Sequence, residues 1–144
     1  MATYADTSFL FSLFVHDANT AAALAWLEKH PVPIPLTDFQ RCELENAIRL
    51  AVFRRSIDPA AAAEALRTLE ADVAAGNLFE QNATSSDLFA AAGRIGAAHT
   101  SRLGIRTLDL LHLGLAVHLR SKLFLTFDAR QREGAKAVGL RIGP

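Results

Sequence analysis

Short apolar runs alternate with segments of helical period along this chain, and that alternation limits its fold more than any other feature. Ala2 to Ala5, Leu78-Phe79, Leu123 to Thr126 and Leu140 to Ile142 are too short for buried helices and read as strands. The prolines in Val32 to Leu36 make it an edge strand or an extended loop. Between these runs lie helix signals. Thr37-Asp38-Phe39-Gln40 and Asp128 to Gln131 are spaced as caps with their third-position partners, and Thr84-Ser85-Ser86-Asp87 is similar. Asp58-Pro59 sets an N-cap before a proline at the first helical position, and Gly76 and Gly104 mark helix stops. Strands alternating with helices predict an α/β sandwich with a mostly parallel sheet, and residues 1–144 fit one domain.

Composition narrows the classes. Hydrophobic residues make up 51% and charged ones 21%, enough apolar material for a packed core. Formal net charge is 0, so whole-molecule basicity does not point to a polyanionic partner. The charge is uneven, however: residues 101–144 carry eight Lys/Arg against three acids, and residues 41–55 carry four against two. That asymmetry permits a nucleic-acid-facing side and equally fits solvated helix faces. Cys42 is the only cysteine, which excludes an intrachain disulfide, and it reads as a small buried filler. No basic-then-apolar leader opens the sequence and no apolar run reaches bilayer length, so a soluble cytoplasmic protein without membrane contact is expected.

In an open parallel sheet, chemistry gathers at the carboxyl ends of the strands. Asp6 and Asp128 follow predicted strands, Asp109 opens the helix after Gly104, and Glu43 sits one turn into the helix after Leu36. Each acid alone has a structural reading, as an N-cap, a first-turn residue or an exposed helix position. Together at the mouth of one sheet they would repel one another unless a cation held them, and oxygen-only ligation suits Mg²⁺ or Mn²⁺.

Four blocks now carry a specific likeness: Tyr4-Ala5-Asp6-Thr7-Ser8-Phe9-Leu10; Cys42-Glu43-Leu44-Glu45-Asn46-Ala47; Arg106-Thr107-Leu108-Asp109-Leu110-Leu111-His112; and Leu125-Thr126-Phe127-Asp128-Ala129-Arg130-Gln131 followed by Gly139-Leu140. In this order and spacing the chain resembles, end to end, the PIN-domain nucleases, and within them the VapC-like toxins of toxin–antitoxin pairs. The resemblance implies a three-layer α/β/α fold and carries the family's acidic quartet onto Asp6, Glu43, Asp109 and Asp128, as catalytic residues and metal ligands. It matches Thr7, Ser8 and Thr126 to the small hydroxyl residues around that quartet. Ala5 stands where a larger aliphatic residue is commoner, and Gly134 is unusual inside the terminal helix.

Glu45 competes with Glu43, but residues two apart on a helix cannot share a face. Glu43 is chosen because Glu-x-x-Asn to Asn46 fits the family pattern, which leaves Glu45 solvated or paired with Arg41 or Arg49. His112 lies three residues from Asp109 and reads as a packed, hydrogen-bonded residue beneath the site, with a mixed nitrogen and oxygen metal site as the other reading. Trp26 and the Phe positions read mostly as core.

The chemistry expected is metal-dependent hydrolysis of RNA phosphodiesters by water, leaving a 5′-phosphate and not requiring the 2′-hydroxyl. Arg102, Arg106, Arg130 and Arg132 are candidate phosphate contacts, Arg106 having pairing with an acid as its alternative. The resemblance implies a structured RNA target such as tRNA or rRNA, a cognate antitoxin and a homodimer. An RNA-processing nuclease outside toxin systems and a catalytically silent binding module remain as alternatives. A phosphatase or receiver domain is disfavoured, since Asp6-Thr7-Ser8 lacks a second Asp two positions on, and no P-loop is present.

Overall fold

A computed structural model describes all 144 residues, and its contacts divide them into two compact units. One comprises Met1–Asp6 with Asn82–Pro144, the other Thr7–Gln81.

The first unit is built on β1 (Thr3–Ala5), β4 (Leu123–Leu125) and β5 (Arg141–Gly143), in the order β1-β4-β5 with both pairings parallel. Tyr4 is in register with Phe124 and the two rings stack at 5.4 Å between centroids, both fully buried. Around the sheet lie α5 (Ser85–Leu103), α6 (Thr107–His118) and α7 (Ala129–Ala137). Helix α5 starts where Thr84 accepts from the Asp87 backbone N–H and stops at Gly104, whose left-handed backbone (φ 64°) suits glycine. Leu113, Leu115, Phe124 and Leu125 form the fully buried centre, each contributing about 1.5–3 kcal/mol on burial.

Gly134, unusual by sequence, is buried in α7, where a Cβ would meet Leu113 Cδ1 at 2.8 Å. That atom is the end of a flexible side chain. Gly134→Ala should therefore change stability by less than about 1 kcal/mol, helix propensity offsetting the shift of Leu113, as read from a urea midpoint.

The second unit pairs β2 (Ile34–Leu36) with β3 (Leu78–Glu80), again parallel, beside α1 (Thr7–Phe14), α2 (Thr20–Lys29), α3 (Asp38–Phe53) and α4 (Pro59–Ala75). Helix α3 opens with the expected capping box: Thr37 Oγ1 accepts from the Gln40 backbone N–H, and Gln40 Oε1 accepts from the Thr37 N–H at 2.8 Å. Asp58 caps α4 by accepting from Ala61 N at 2.7 Å, with Pro59 at its first position. Gly76 ends α4 with φ 79°.

Every strand pair is parallel and joined through helices, in accord with the α/β class. The strands form a three-stranded and a two-stranded sheet. No helix is long and apolar enough to cross a membrane.

Two expectations about packing are corrected. Cys42 is exposed, because the buried face of α3 runs through Gln40, Leu44, Ile48 and Ala51 and position 42 falls on the far side. Of the nine Phe, only Phe9 and Phe124 are fully buried, while Phe53, Phe79 and Phe89 are exposed. Trp26 is half-buried, edge-on to Phe9 and stacked on His30.

Candidate functional site

Parallel pairing brings the carboxyl ends of β1 and β4 side by side in the first unit. The Asp6 N–H donates to Leu125 O at 3.1 Å, so the ladder continues one residue past each strand and seats Asp6 beside Thr126. Asp6 is 2% exposed and Thr126 fully buried; the Thr126 hydroxyl donates to Asp6 Oδ2 at 2.5 Å and accepts from the Asp128 backbone N–H at 2.9 Å. One hydroxyl thus fixes the Asp6 carboxylate and the backbone that carries Asp128. Asp128 caps α7, its Oδ1 accepting from Arg130 N at 2.7 Å and Gln131 N at 3.0 Å.

Asp109 lies in the first turn of α6 with its side chain 17% exposed, and its Oδ2 accepts from Arg106 Nε at 3.1 Å. Gln131 Nε2 donates to the Asp109 carbonyl oxygen at 3.3 Å, tying α7 to α6. Gln131 Oε1 is buried with no protein hydrogen-bond partner. His112 is 2% exposed and its Nδ1 is bonded to Tyr4 Oη at 2.8 Å, which is the packed arrangement expected of it. Tyr4, the only tyrosine, was not singled out as this partner by sequence, although it lies two residues before Asp6.

Among the candidate phosphate contacts, Arg106 is engaged with Asp109. Arg132 Nη2 donates to the carbonyl oxygens of Thr126 and Pro144, both at 3.3 Å, and so serves as a tie between backbone segments. Arg102 bonds His99 at 3.3 Å, and Arg130 is exposed.

In the second unit Glu43 is half-buried on α3 and its Oε2 accepts from Thr7 Oγ1 at 2.7 Å. Ser8 is half-buried on α1, and its carbonyl oxygen accepts from Ser12 Oγ at 3.1 Å. Glu45 faces Arg41 at 3.7 Å and Arg49 at 3.4 Å. Arg41 also pairs with Glu70 and, at 3.0 Å, with Glu80. Burial pulls the Arg41 pKa down, but Glu70 and Glu80 outweigh it and hold the guanidinium above its ordinary value.

Asp6, Glu43, Asp109 and Asp128 are hard oxygen donors of the kind Mg²⁺ and Mn²⁺ take, and two of them are already oriented by threonine hydroxyls. The donor chemistry therefore fits a divalent cation, although no three His, Cys, Asp or Glu side chains are gathered as they stand into a cluster that could hold one. Thr126→Val keeps the side-chain shape and removes the shared hydroxyl; it should cost about 1–3 kcal/mol of stability and lower any metal-dependent activity about 10–100-fold, checked by denaturation and single-turnover assay.

The chain is similar in structure to the sarcin-ricin loop cleaving toxin VapC20 of Mycobacterium tuberculosis, with a TM-score of 0.70 at 19% identity, over 99% of this chain and 100% of that one. It is also similar to FitAcB of Neisseria gonorrhoeae, with a TM-score of 0.64 at 14% identity over 99% and 96% of the two chains. VapBC2 of Rickettsia felis, solved bound to a DNA fragment from its promoter, gives 0.66 at 14% identity over 99% and 97%. No curated protein matches the sequence. The sequence pattern of the PIN domain matches residues 3–137, nearly the whole length, and the chain belongs to the PIN-domain family.

Proposed function

We propose that this protein is a metal-dependent endoribonuclease acting as the toxin of a toxin–antitoxin pair. The observation that carries the reading is the buried Asp6 carboxylate held by Thr126 at the carboxyl ends of two parallel strands, with Asp128 fastened to the same hydroxyl. A buried carboxyl needs hydrogen-bond partners, as Thr126 provides, and acids held in this way gather at functional sites, which in a PIN-domain chain supports a catalytic reading. The likeness in fold to VapC20, and to FitAcB and VapBC2, supports the toxin role and a protein antitoxin as partner.

Asp6, Glu43, Asp109 and Asp128 would hold Mg²⁺ or Mn²⁺. When bound, the cation supplies activation of a water and neutralisation of charge on the leaving 3′ oxygen. Thr126 and Thr7 keep the Asp6 and Glu43 oxygens oriented so that little reorganisation accompanies binding. Arg106 partly neutralises Asp109 before the substrate arrives and, being exposed, can turn to a phosphate. The substrate proposed is structured RNA such as tRNA or rRNA, and the protein is proposed to act in the cytoplasm as a homodimer.

The test is RNA cleavage by the purified chain with Mg²⁺ or Mn²⁺ and with EDTA. Cleavage that requires the cation and leaves 5′-phosphate ends is the expected result; cleavage unaffected by EDTA would remove the metal chemistry. Expression should arrest growth, and Asp109→Asn should relieve the arrest. RNA cleavage without arrest would favour an RNA-processing role, and neither effect would favour a silent binding module.

A further inference from the structure

The second unit contains a cleft of about 430 Å³ whose lining the chemistry above leaves largely unused. Phe11 of α1, Asp17 and Asn19 of the following turn, and Ala47, Leu50 and Arg54 on the α3 side line it. Glu43, Ala47, Ala51 and Arg54 follow one another at spacings of four, four and three, so they share one face of the helix. At about 1.5 Å per residue that face runs roughly 16 Å from Glu43 to Arg54.

The polar groups along the cleft divide by how they are engaged. Asp17 is committed to its own turn, accepting from Ser12 Oγ at 2.9 Å and from Asn19 N at 2.8 Å. The Asn19 side chain makes no capping hydrogen bond and leaves its amide available at the half-buried end. Arg54 is exposed at the C-cap of α3 and, unlike Arg41, Arg49, Arg67 and Arg106, has no acidic partner. Phe11 is half-buried and adds an aromatic surface to the lining.

A lone guanidinium, an apolar floor with an aromatic ring and an amide free to read an edge form a set that suits one nucleotide of single-stranded RNA. The guanidinium takes a phosphate, the ring takes the flat face of the base, and the amide takes its hydrogen-bonding edge. We infer that this cleft seats a nucleotide flanking the scissile bond, with Arg54 on a backbone phosphate and the base turned in against Phe11 towards Asn19. The strand then follows the α3 face from the Glu43 end to the Arg54 end, a few nucleotides in all. This inference rests on the nuclease reading for the word scissile alone; the nucleotide seat is a binding property.

The experiment measures binding of a short labelled single-stranded RNA of mixed sequence to the intact chain, in EDTA and at several salt concentrations, by fluorescence anisotropy. Arg54→Gln should weaken binding and lower the magnitude of the salt slope by about 0.7, the share of one phosphate contact on a single strand, while Arg54→Lys restores the slope. Ala47→Phe, which fills the cleft without changing charge, should weaken binding at least about fivefold at unchanged slope. Wild-type-like melting of these variants keeps the reading specific to the cleft. RNA binding indistinguishable from wild type in Arg54→Gln or Ala47→Phe, the result expected if the cleft serves a protein partner, overturns the inference. So does a wild-type chain that binds no RNA. Because binding is read without a divalent cation, it stands or falls separately from the cleavage test.

Discussion

Asp6→Asn is expected to lower RNA cleavage by more than about a hundredfold, beyond the 10–100-fold loss typical of residues that only support ligands. Asn is nearly isosteric with Asp, and its amide oxygen can still accept from Thr126 Oγ1, so the contact that seats residue 6 survives in kind. What disappears is the anionic charge, which the proposed cation requires. A second readout separates chemistry from stability. Mg²⁺ at about 100 times its Kd should stabilise the wild-type chain by about 2.7 kcal/mol and raise Tm by roughly 5–10 °C. Asp6→Asn, compared with and without Mg²⁺, should gain little of that shift. Wild-type cleavage by the variant, or an undiminished Mg²⁺ shift, would refute the assignment of Asp6.

Gly114→Val should produce the largest stability loss of any single change described. Gly114 lies inside α6, where a Cβ would meet the Ala92 backbone nitrogen at 2.9 Å and the Ala92 Cα and Cβ both at 3.1 Å. Ala92 belongs to α5, whose main chain cannot step aside as the Leu113 side chain can for Gly134. Gly114→Ala carries the clash alone and should cost about 1–3 kcal/mol despite its better helix propensity; valine adds two methyl groups and should cost more. Urea denaturation measures both, and a midpoint at or above wild type for Gly114→Ala would mean that α5 and α6 separate freely.

Much of the local architecture was legible in the residues. Thr37 with Gln40, Asp58 with Pro59, Thr84 with Asp87, and Asp128 ahead of Arg130 and Gln131 all cap helices as read, because a cap depends on groups three or four residues apart. The same holds for Glu45, which meets both arginines four positions away. Contacts between distant segments were not legible in this way. Arg41 also takes Glu70 and Glu80 from other elements, and His112 is bonded to Tyr4, 108 residues earlier. Cys42 failed as a buried filler because hydrophobicity alone does not say which helix face a residue occupies, and the capping role of Gln40 rotates the buried face away from position 42. The hydroxyls on Asp6 and Glu43 were expected only through family likeness; nothing local to Thr126 or Thr7 announces a carboxylate partner 120 or 36 residues away.

That separation of 120 residues has a bearing on synthesis. Strand β1 leaves the ribosome well ahead of its partner β4 and of the hydroxyl that seats Asp6. A growing polypeptide therefore carries Asp6 unmoored until Thr126 has emerged, and acquires the arrangement proposed to cut RNA only after that long stretch of synthesis on an RNA-built machine.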